Sequence, residues 1–192
     1  MTTVPHAPRP ARFSKAEYYR MAESGVFTGR RVELMGGEII EMSPIGPLHA
    51  SVVAHVSRLL NRLFPDHHVR TQLPFDASGD SEPEPDLALV HGEPGDFREA
   101  HPNQVALIIE VADSSLRYDR GRKASRYAAS GVADYWVINL LARRVEVYRR
   151  PEPDESQDFG FAYASHEIFE ATANVSPLAK PSVSIPVKDL LL

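Results

Sequence analysis

Apolar residues along this chain follow two patterns, one with helical spacing and one in short unbroken runs. From His49 to Phe64 they recur on a single helical stripe, which predicts an amphipathic helix that ends before Pro65. In contrast, residues 87–90 and 105–111 are apolar apart from one acid, as in strands that a sheet buries on both faces. The chain is therefore predicted to combine a buried sheet with packed helices.

Capping and turn residues set the limits of the other elements. Ser14 and Glu17 form a capping box at the start of a helix that extends to about Glu23. Gly36-Gly37 is a two-residue turn between two short strands. We also predict strands over 68–75, 135–139, 144–149 and 159–169, a helix over 119–130 with Asp119 as its N-cap, and a loop over 151–158.

The order of these elements indicates the fold class. No glycine-rich phosphate loop follows a strand, so a doubly wound nucleotide-binding fold is not expected. We predict an α/β (α+β) domain in which helices flank a mixed β-sheet. Residues 13–175 are expected to form this domain, residues 1–12 to be a flexible leader, and the proline-containing segment 176–192 to be a C-terminal tail docked on it.

Composition narrows the functional classes. The net charge of -5 argues against a protein that coats nucleic acid by neutralising phosphates, although residues 117–126 hold five basic residues and one acid. The chain has no cysteine, which excludes disulfides and thiolate metal sites. No apolar stretch reaches the roughly 20 residues of a membrane span, and no secretory signal is recognisable. We therefore expect a cytoplasmic protein that does not bind membranes.

Two carboxylates stand at the edges of the predicted buried strands. Asp86 follows Pro85 at the start of the first run, and Glu110 closes the second. Taken singly, Glu110 would mark where a strand emerges into water, and Asp86 would bond turn amides. If the two runs form a hairpin, the two acids meet at one end of the sheet. They could then share a hard cation such as Mg²⁺, with the Val111 carbonyl as an extra ligand.

Basic residues follow these acids on the predicted helix. Lys123 is either a surface lysine or a cation beside the metal that stabilises phosphate charge or orients the attacking water. Arg120, Arg122 and Arg126 either hold flanking phosphates or form a solvated face. We expect His49, at the start of the long helix, to be solvated or to cap it. Two carboxylates and a lysine at a sheet edge are what a metal-dependent phosphodiester nuclease needs.

The order of these residues resembles a known family. The Uma-type restriction endonuclease family, within the PD-(D/E)XK nuclease superfamily, is similar to this chain over about residues 13–150. The later matching segments are Pro85-Asp86, Ile109-Glu110-Val111-Ala112, Asp119 to Lys123, Tyr127 to Val132 and Tyr135 to Ile138. The earlier ones are Glu33-Leu34, Gly36-Gly37-Glu38, Met42-Ser43-Pro44 and His49.

The resemblance implies a restriction-endonuclease-like core and a role for each matching residue. Asp86 and Glu110 correspond to the motif acids that hold Mg²⁺ or Mn²⁺. Glu33 resembles an additional upstream acid near the metal, and a solvent-facing hairpin residue is the equal alternative. The superfamily's usual lysine stands two residues after the glutamate, where this chain has Ala112. The resemblance implies that Lys123 supplies the lysine from the helix instead.

We therefore expect an endonuclease that hydrolyses DNA phosphodiester bonds through a Mg²⁺-activated water. A homodimer is compatible with this activity, because paired sites in this superfamily often cut two strands. The alternative is a catalytically inactive module that binds nucleic acid or protein on the same fold, which the acidic net charge and Ala112 motivate. A hydrolase of smaller phosphodiesters is a third interpretation. The sequence defines no recognition site.

Overall fold

Ten strands are present in residues 9–192, which are the residues that the computed structural model describes. The first eight residues of the predicted leader lie outside this range. The strands are β1 (Val32–Met35), β2 (Glu38–Glu41), β3 (His67–Thr71), β4 (Leu87–His91), β5 (Leu107–Ala112), β6 (Asp134–Asn139), β7 (Arg144–Pro153), β8 (Phe161–Glu170), β9 (Asn174–Val175) and β10 (Ile185–Pro186).

Three helices accompany the strands. They are α1 (Lys15–Glu23), α2 (Pro47–Leu63) and α3, which is continuous over residues 116–129 and consists of Leu116–Tyr118, a π-turn at Asp119–Lys123 and Ala124–Ala129. Short 3₁₀ turns occur at Pro94–Phe97 and Val187–Leu190. Helix α1 has the predicted bounds and begins with the predicted capping box. None of the helices in residues 9–192 combines the length and apolar character that a bilayer crossing requires.

Six strands form one mixed sheet in the order β3-β4-β5-β6-β7-β8. Strands β5 and β6 are parallel, and the other neighbours in this sheet are antiparallel. Helix α2 packs on one face and α3 on the other. The predicted mixed sheet flanked by helices is therefore confirmed.

The register of β4 and β5 sets the position of the two motif acids. Leu87 lies opposite Ile109 in this antiparallel pair. Continuing the register by one residue places Asp86 opposite Glu110, where β4 begins and β5 approaches its end. The predicted hairpin pairing is therefore confirmed.

Alternation along β5 determines which face each of its side chains occupies. Leu107, Ile109 and Val111 pack in the cluster that contains α2. Ile108 and Ala112 pack in the cluster that contains α3. Because strand side chains alternate, Glu110 projects to the α3 face, together with Ala112.

The β1–β2 hairpin lies against the segment that leads into β4. The Glu82 amide donates to the Leu34 carbonyl at 2.8 Å, and the Gly37 amide donates to the Asp80 carbonyl at 2.7 Å. Both glycines of the predicted turn, Gly36 and Gly37, have positive φ, as a two-residue hairpin turn requires. This packing brings β1, which carries Glu33, next to the start of β4.

Helix α3 differs from its prediction at the N-terminal end. It begins at Leu116 with Ser115 as the preceding residue, so Asp119 is not the N-cap. The Asp119 carboxylate instead accepts a hydrogen bond from the Ser115 hydroxyl at 2.6 Å. Aspartate is a favoured N-cap, which is why the sequence indicated a later start. The predicted end is observed, because Gly131 follows with a φ of +75°.

Two other sequence assignments need correction. The predicted loop at 151–158 is partly strand, because β7 continues to Pro153 and pairs with β8. Its prolines are tolerated because this end of β7 has no second neighbour in the sheet. The strand predicted over 68–75 ends at Thr71, since Gln72 has a φ of +50°.

The last residues of the chain pack on the α2 face of the sheet. Val187, Leu190 and Leu191 are buried in the same cluster as α2. The short pair β9–β10 leads into this segment. We therefore propose that the tail is an integral part of the domain core.

Replacing Leu190 by alanine should lower the free energy of unfolding by about 2–5 kcal/mol, because it removes a fully buried side chain from the core. Urea denaturation followed by circular dichroism measures this loss. The matched control is Leu192→Ala, since Leu192 is 54% exposed and its loss should cost no more than about 0.5 kcal/mol. Equal, small effects in both variants would contradict a docked tail.

Candidate functional site

A cavity of about 270 Å³ opens where β4 begins and β5 ends. Asp86, Glu110 and Lys123 all line it, as does Asp119. His49, from the first turns of α2, completes this wall. The structure thus brings together three of the four side chains singled out from the sequence, and adds two others.

Asp86 is held by hydrogen bonds to both of its carboxylate oxygens. Its Oδ2 accepts from His49 Nε2 at 3.1 Å and from the Val111 amide at 2.9 Å. Its Oδ1 accepts from Gln72 Nε2 at 3.1 Å. Burial opposes ionisation here, but the hydrogen bond from His49 and the charges of His49 and Lys123 lower the pKa of Asp86 below its ordinary value. This carboxylate is therefore preorganised in its charged form.

Glu110 is buried opposite Asp86 across the β4–β5 pair. Its Oε1 accepts from Lys123 Nζ at 2.9 Å and from the Tyr127 hydroxyl at 2.7 Å. Its Oε2 accepts from the Asp86 amide at 3.3 Å. Burial raises the pKa of Glu110, Lys123 opposes that rise, and the negative charges of Asp86 and Asp119 add to it.

Lys123 reaches this carboxylate from α3. The small side chain of Ala112, on the same face of β5, packs in the cluster that contains Tyr127 rather than filling the space beside Glu110. Only 2% of the Lys123 side chain is exposed. Burial alone would lower its pKa, but the surrounding carboxylates, first Glu110 and then Glu33, hold the pKa well above its ordinary value.

Glu33 is the second carboxylate in contact with Lys123. Its carboxylate is 3.6 Å from Lys123 Nζ. Its Oε1 accepts from the Tyr118 hydroxyl at 2.9 Å, and its Oε2 accepts from the Glu84 amide at 3.1 Å. Glu33 is buried and is not among the residues that line the cavity, so it is not the solvent-facing hairpin residue of the alternative.

The backbone of Val111 also faces the two acids. Its amide donates to Asp86, as described, and the amide and carbonyl of one strand residue point to the same neighbouring strand. The Val111 carbonyl is thus directed towards the Asp86 side of β5. This orientation is compatible with the predicted backbone ligand.

The sequence analysis missed two residues that line the cavity. His49 was expected to be solvated or to cap α2, but its ring contacts Asp86, and burial leaves only 14% of the side chain exposed. Asp119 was expected to cap α3, but it is buried and lines the cavity. The resemblance included both positions in its matching segments, and this was the only signal that pointed to them.

Three basic residues of α3, Arg120, Arg122 and Arg126, have partners within the domain, whereas Arg117 is exposed. Arg120 makes a bidentate ion pair with the buried Glu146. Arg122 is 2.7 Å from Glu38 and donates to the Met35 carbonyl. Arg126 is buried, stacks on Phe159 at 4.3 Å and donates to the Ser78 carbonyl. The positive charge of segment 117–126 is thus largely used inside the domain.

The buried side chains of the site carry more acidic than basic groups. Four carboxylates, from Glu33, Asp86, Glu110 and Asp119, are buried with Lys123 and the partly buried His49. An excess of buried negative charge is costly unless protons or cations neutralise it. In residues 9–192 there is no group of three or more acid or histidine side chains arranged to hold a metal by themselves. Asp86 and Glu110, which line the cavity, are the carboxylates that could hold a cation.

Comparisons with known proteins agree with this picture of the fold. A family model described as "Uma2: Putative restriction endonuclease" matches residues 16–188. A solved structure described as a "putative nuclease belonging to DUF820", from Anabaena variabilis ATCC 29413, is 17% identical and has a TM-score of 0.72. The alignment covers 94% of this chain and 97% of that chain, and at this identity it shows the fold alone. No curated protein matches.

The unfolding free energy of the metal-free wild type should fall relative to that of Asp119→Asn as pH rises from about 4 to about 7. Burial raises the pKa of Asp119 from 3.8 to about 6, so in this range the folded state retains a proton that the unfolded state has lost. The wild type should lose up to about 3 kcal/mol relative to the variant.

Urea denaturation in the presence of a chelator, at several pH values, measures this difference. Asp158→Asn is the matched control, because Asp158 is an exposed carboxylate in the β7–β8 turn and does not line the cavity. A constant difference between wild type and Asp119→Asn across the range would contradict the raised pKa.

Proposed function

This chain belongs to the Uma2 family, and from that premise we propose that it is a metal-dependent endonuclease that hydrolyses DNA phosphodiester bonds. The observation that carries the proposal is the meeting of Asp86, Glu110 and Lys123 in one cavity. The lysine ammonium lies 2.9 Å from the glutamate, and the glutamate accepts from the Asp86 amide at 3.3 Å. A metal-assisted phosphodiester hydrolase needs this combination of two acids and a cation.

We assign the metal, Mg²⁺ or Mn²⁺, to the carboxylates of Asp86 and Glu110 with the Val111 carbonyl. When bound there, such an ion supplies a more acidic water and compensates charge on the phosphate. The raised pKa of Glu110 supports this assignment, because a cation would replace the proton that the buried carboxylate otherwise favours. His49 and Gln72 orient Asp86 through hydrogen bonds to its two carboxylate oxygens.

Lys123 is assigned to the attacking water and the scissile phosphate. Its ammonium has three donors, and contacts to Glu110 and Glu33 leave one for a ligand in the cavity. We assign Glu33 to the positioning of Lys123 rather than to the metal, since its carboxylate contacts the Lys123 ammonium and Glu33 is not among the residues that line the cavity. A homodimer with two such cavities would account for cleavage of both strands of a duplex.

The second candidate function is an interaction module without catalysis. It is favoured by the hydrogen bonds that protein donors already make to all four oxygens of Asp86 and Glu110. It is also favoured by the cavity mouth, where Glu41, Glu84 and Asp113 add negative charge. Such a surface suits a cationic protein partner better than DNA. Metal binding and cleavage assays separate the two candidates.

Replacing Asp86 by asparagine or Glu110 by glutamine should reduce cleavage of plasmid DNA in Mg²⁺ at least about 100-fold, because each removes a proposed metal ligand. Circular dichroism and gel filtration establish that the variants are folded. Asp158→Asn, which removes an exposed carboxylate far along the chain from the site, should retain wild-type cleavage. Full cleavage by a folded Asp86→Asn/Glu110→Gln double variant would refute the assignment of these two acids.

Calorimetric titration with MgCl₂ near neutral pH should show saturable binding to the wild type. The binding should disappear in Glu110→Gln, because the cation would lose one of its two carboxylates. Asp158→Asn should bind like the wild type. If the wild type takes up neither Mg²⁺ nor Mn²⁺ at millimolar concentrations, the interaction module becomes the better interpretation.

A further inference from the structure

Asp119 lies in the candidate cavity but has no part in the function proposed above. It is 1% exposed and belongs to the π-turn whose last residue is Lys123. The Tyr135 hydroxyl donates to the Asp119 carbonyl at 2.9 Å, which fixes the backbone of the turn. π-turns inside helices are frequent at functional sites. Asp119 and Lys123 are therefore both held at the cavity by the same irregular turn.

The hydrogen bonding of Asp119 differs from that of the other two acids. Its Oδ2 accepts from the Ser115 hydroxyl at 2.6 Å. Its Oδ1 has no hydrogen-bond partner within residues 9–192, whereas both oxygens of Asp86 and Glu110 are engaged. A carboxyl oxygen that lines a cavity without a protein partner is available to a bound molecule.

The groups that face Asp119 come from several elements. Burial raises its pKa to about 6, while Lys123 and the Ser115 hydroxyl oppose that rise. The charges of Asp86 and Glu33 act in the same direction as burial. His49, Glu110 and Tyr135 are further titratable groups that interact with it. Burial thus favours the protonated form of Asp119 more than water does.

We propose that Asp119 is the general acid that protonates the leaving oxygen during phosphodiester hydrolysis, a role that rests on the nuclease function proposed above. Water forms the new bond to phosphorus, and the bond from phosphorus to the leaving sugar oxygen breaks. That oxygen keeps the electron pair and takes the Asp119 proton. The proton that the water releases passes to solvent, and solvent reprotonates Asp119, so that one water is consumed in each cycle.

Two oligonucleotide substrates test this role, one with an ordinary phosphodiester and one with sulfur in place of the leaving oxygen. Analysis of the wild-type products first establishes which oxygen leaves. Asp119→Asn should cleave the oxygen substrate at least about 100-fold more slowly than the wild type, because proton donation is lost. It should cleave the sulfur substrate within about threefold of the wild type, since a thiolate leaves without a proton.

Each other outcome has a defined meaning. Equal losses on both substrates, or no loss on either, would overturn the acid role of Asp119 while leaving the nuclease function intact. A wild type that cleaves neither substrate would overturn the nuclease function itself. Asp158→Asn, in the β7–β8 turn, should match the wild type on both substrates.

Ser115→Ala provides a second test in which the carboxyl group is retained. Removing the hydroxyl that stabilises the charged carboxylate should raise the pKa of Asp119 further. If Asp119 is the acid, the rate of cleavage of the oxygen substrate falls at alkaline pH, where Asp119 has lost its proton. In Ser115→Ala this fall should move to higher pH by at least about 0.5 unit. An unchanged pH profile would contradict the role of Asp119.

Discussion

The buried ammonium of Lys123 is the interaction on which the candidate site depends. It lies 2.9 Å from Glu110 and 3.6 Å from Glu33, and almost none of it is exposed. Removing one partner from such a buried pair typically costs about 3–5 kcal/mol, because the other charge is left without compensation. The three residues come from α3, β5 and β1, so their attraction fixes the positions of three elements relative to one another. The lysine thus links these three elements beside the cavity that Glu110 and Lys123 line.

The backbone provides the second constraint. The register of β4 and β5 sets Asp86 opposite Glu110, and the π-turn of α3 sets Asp119 and Lys123 at the same cavity. The turn is also held by the ion pair that Arg120 makes with the fully buried Glu146. A basic residue that the sequence offered for phosphate contact thus has a structural role. The geometry of the acids follows from the sheet, and the geometry of the lysine follows from this anchored helix.

Much of the fold follows from the sequence because its signals are local. The stripe of α2 and the apolar runs of β4 and β5 predict the elements, and their pairing predicts that two acids meet. His49 could not be placed in this way, because its contact with Asp86 joins residues that are 37 positions apart. Asp119 was predicted to be the N-cap because aspartate is favoured at that position. The residue that precedes the helix is instead Ser115, whose hydroxyl donates to Asp119. The partners of the arginines are also remote in sequence.

The charge distribution finally links cation binding to substrate binding under the proposed function. Arg120 and Arg122 of α3 are paired with Glu146 and Glu38, and Arg31, which lines the cavity, lies 3.9 Å from Glu84. A phosphodiester that entered the cavity would therefore meet several carboxylates and the partly neutralised Lys123. Like charges at such distances repel strongly where water is excluded. A divalent cation on Asp86 and Glu110 would offset much of that negative charge, so the same excess of acids that attracts the cation would make phosphate binding depend on it.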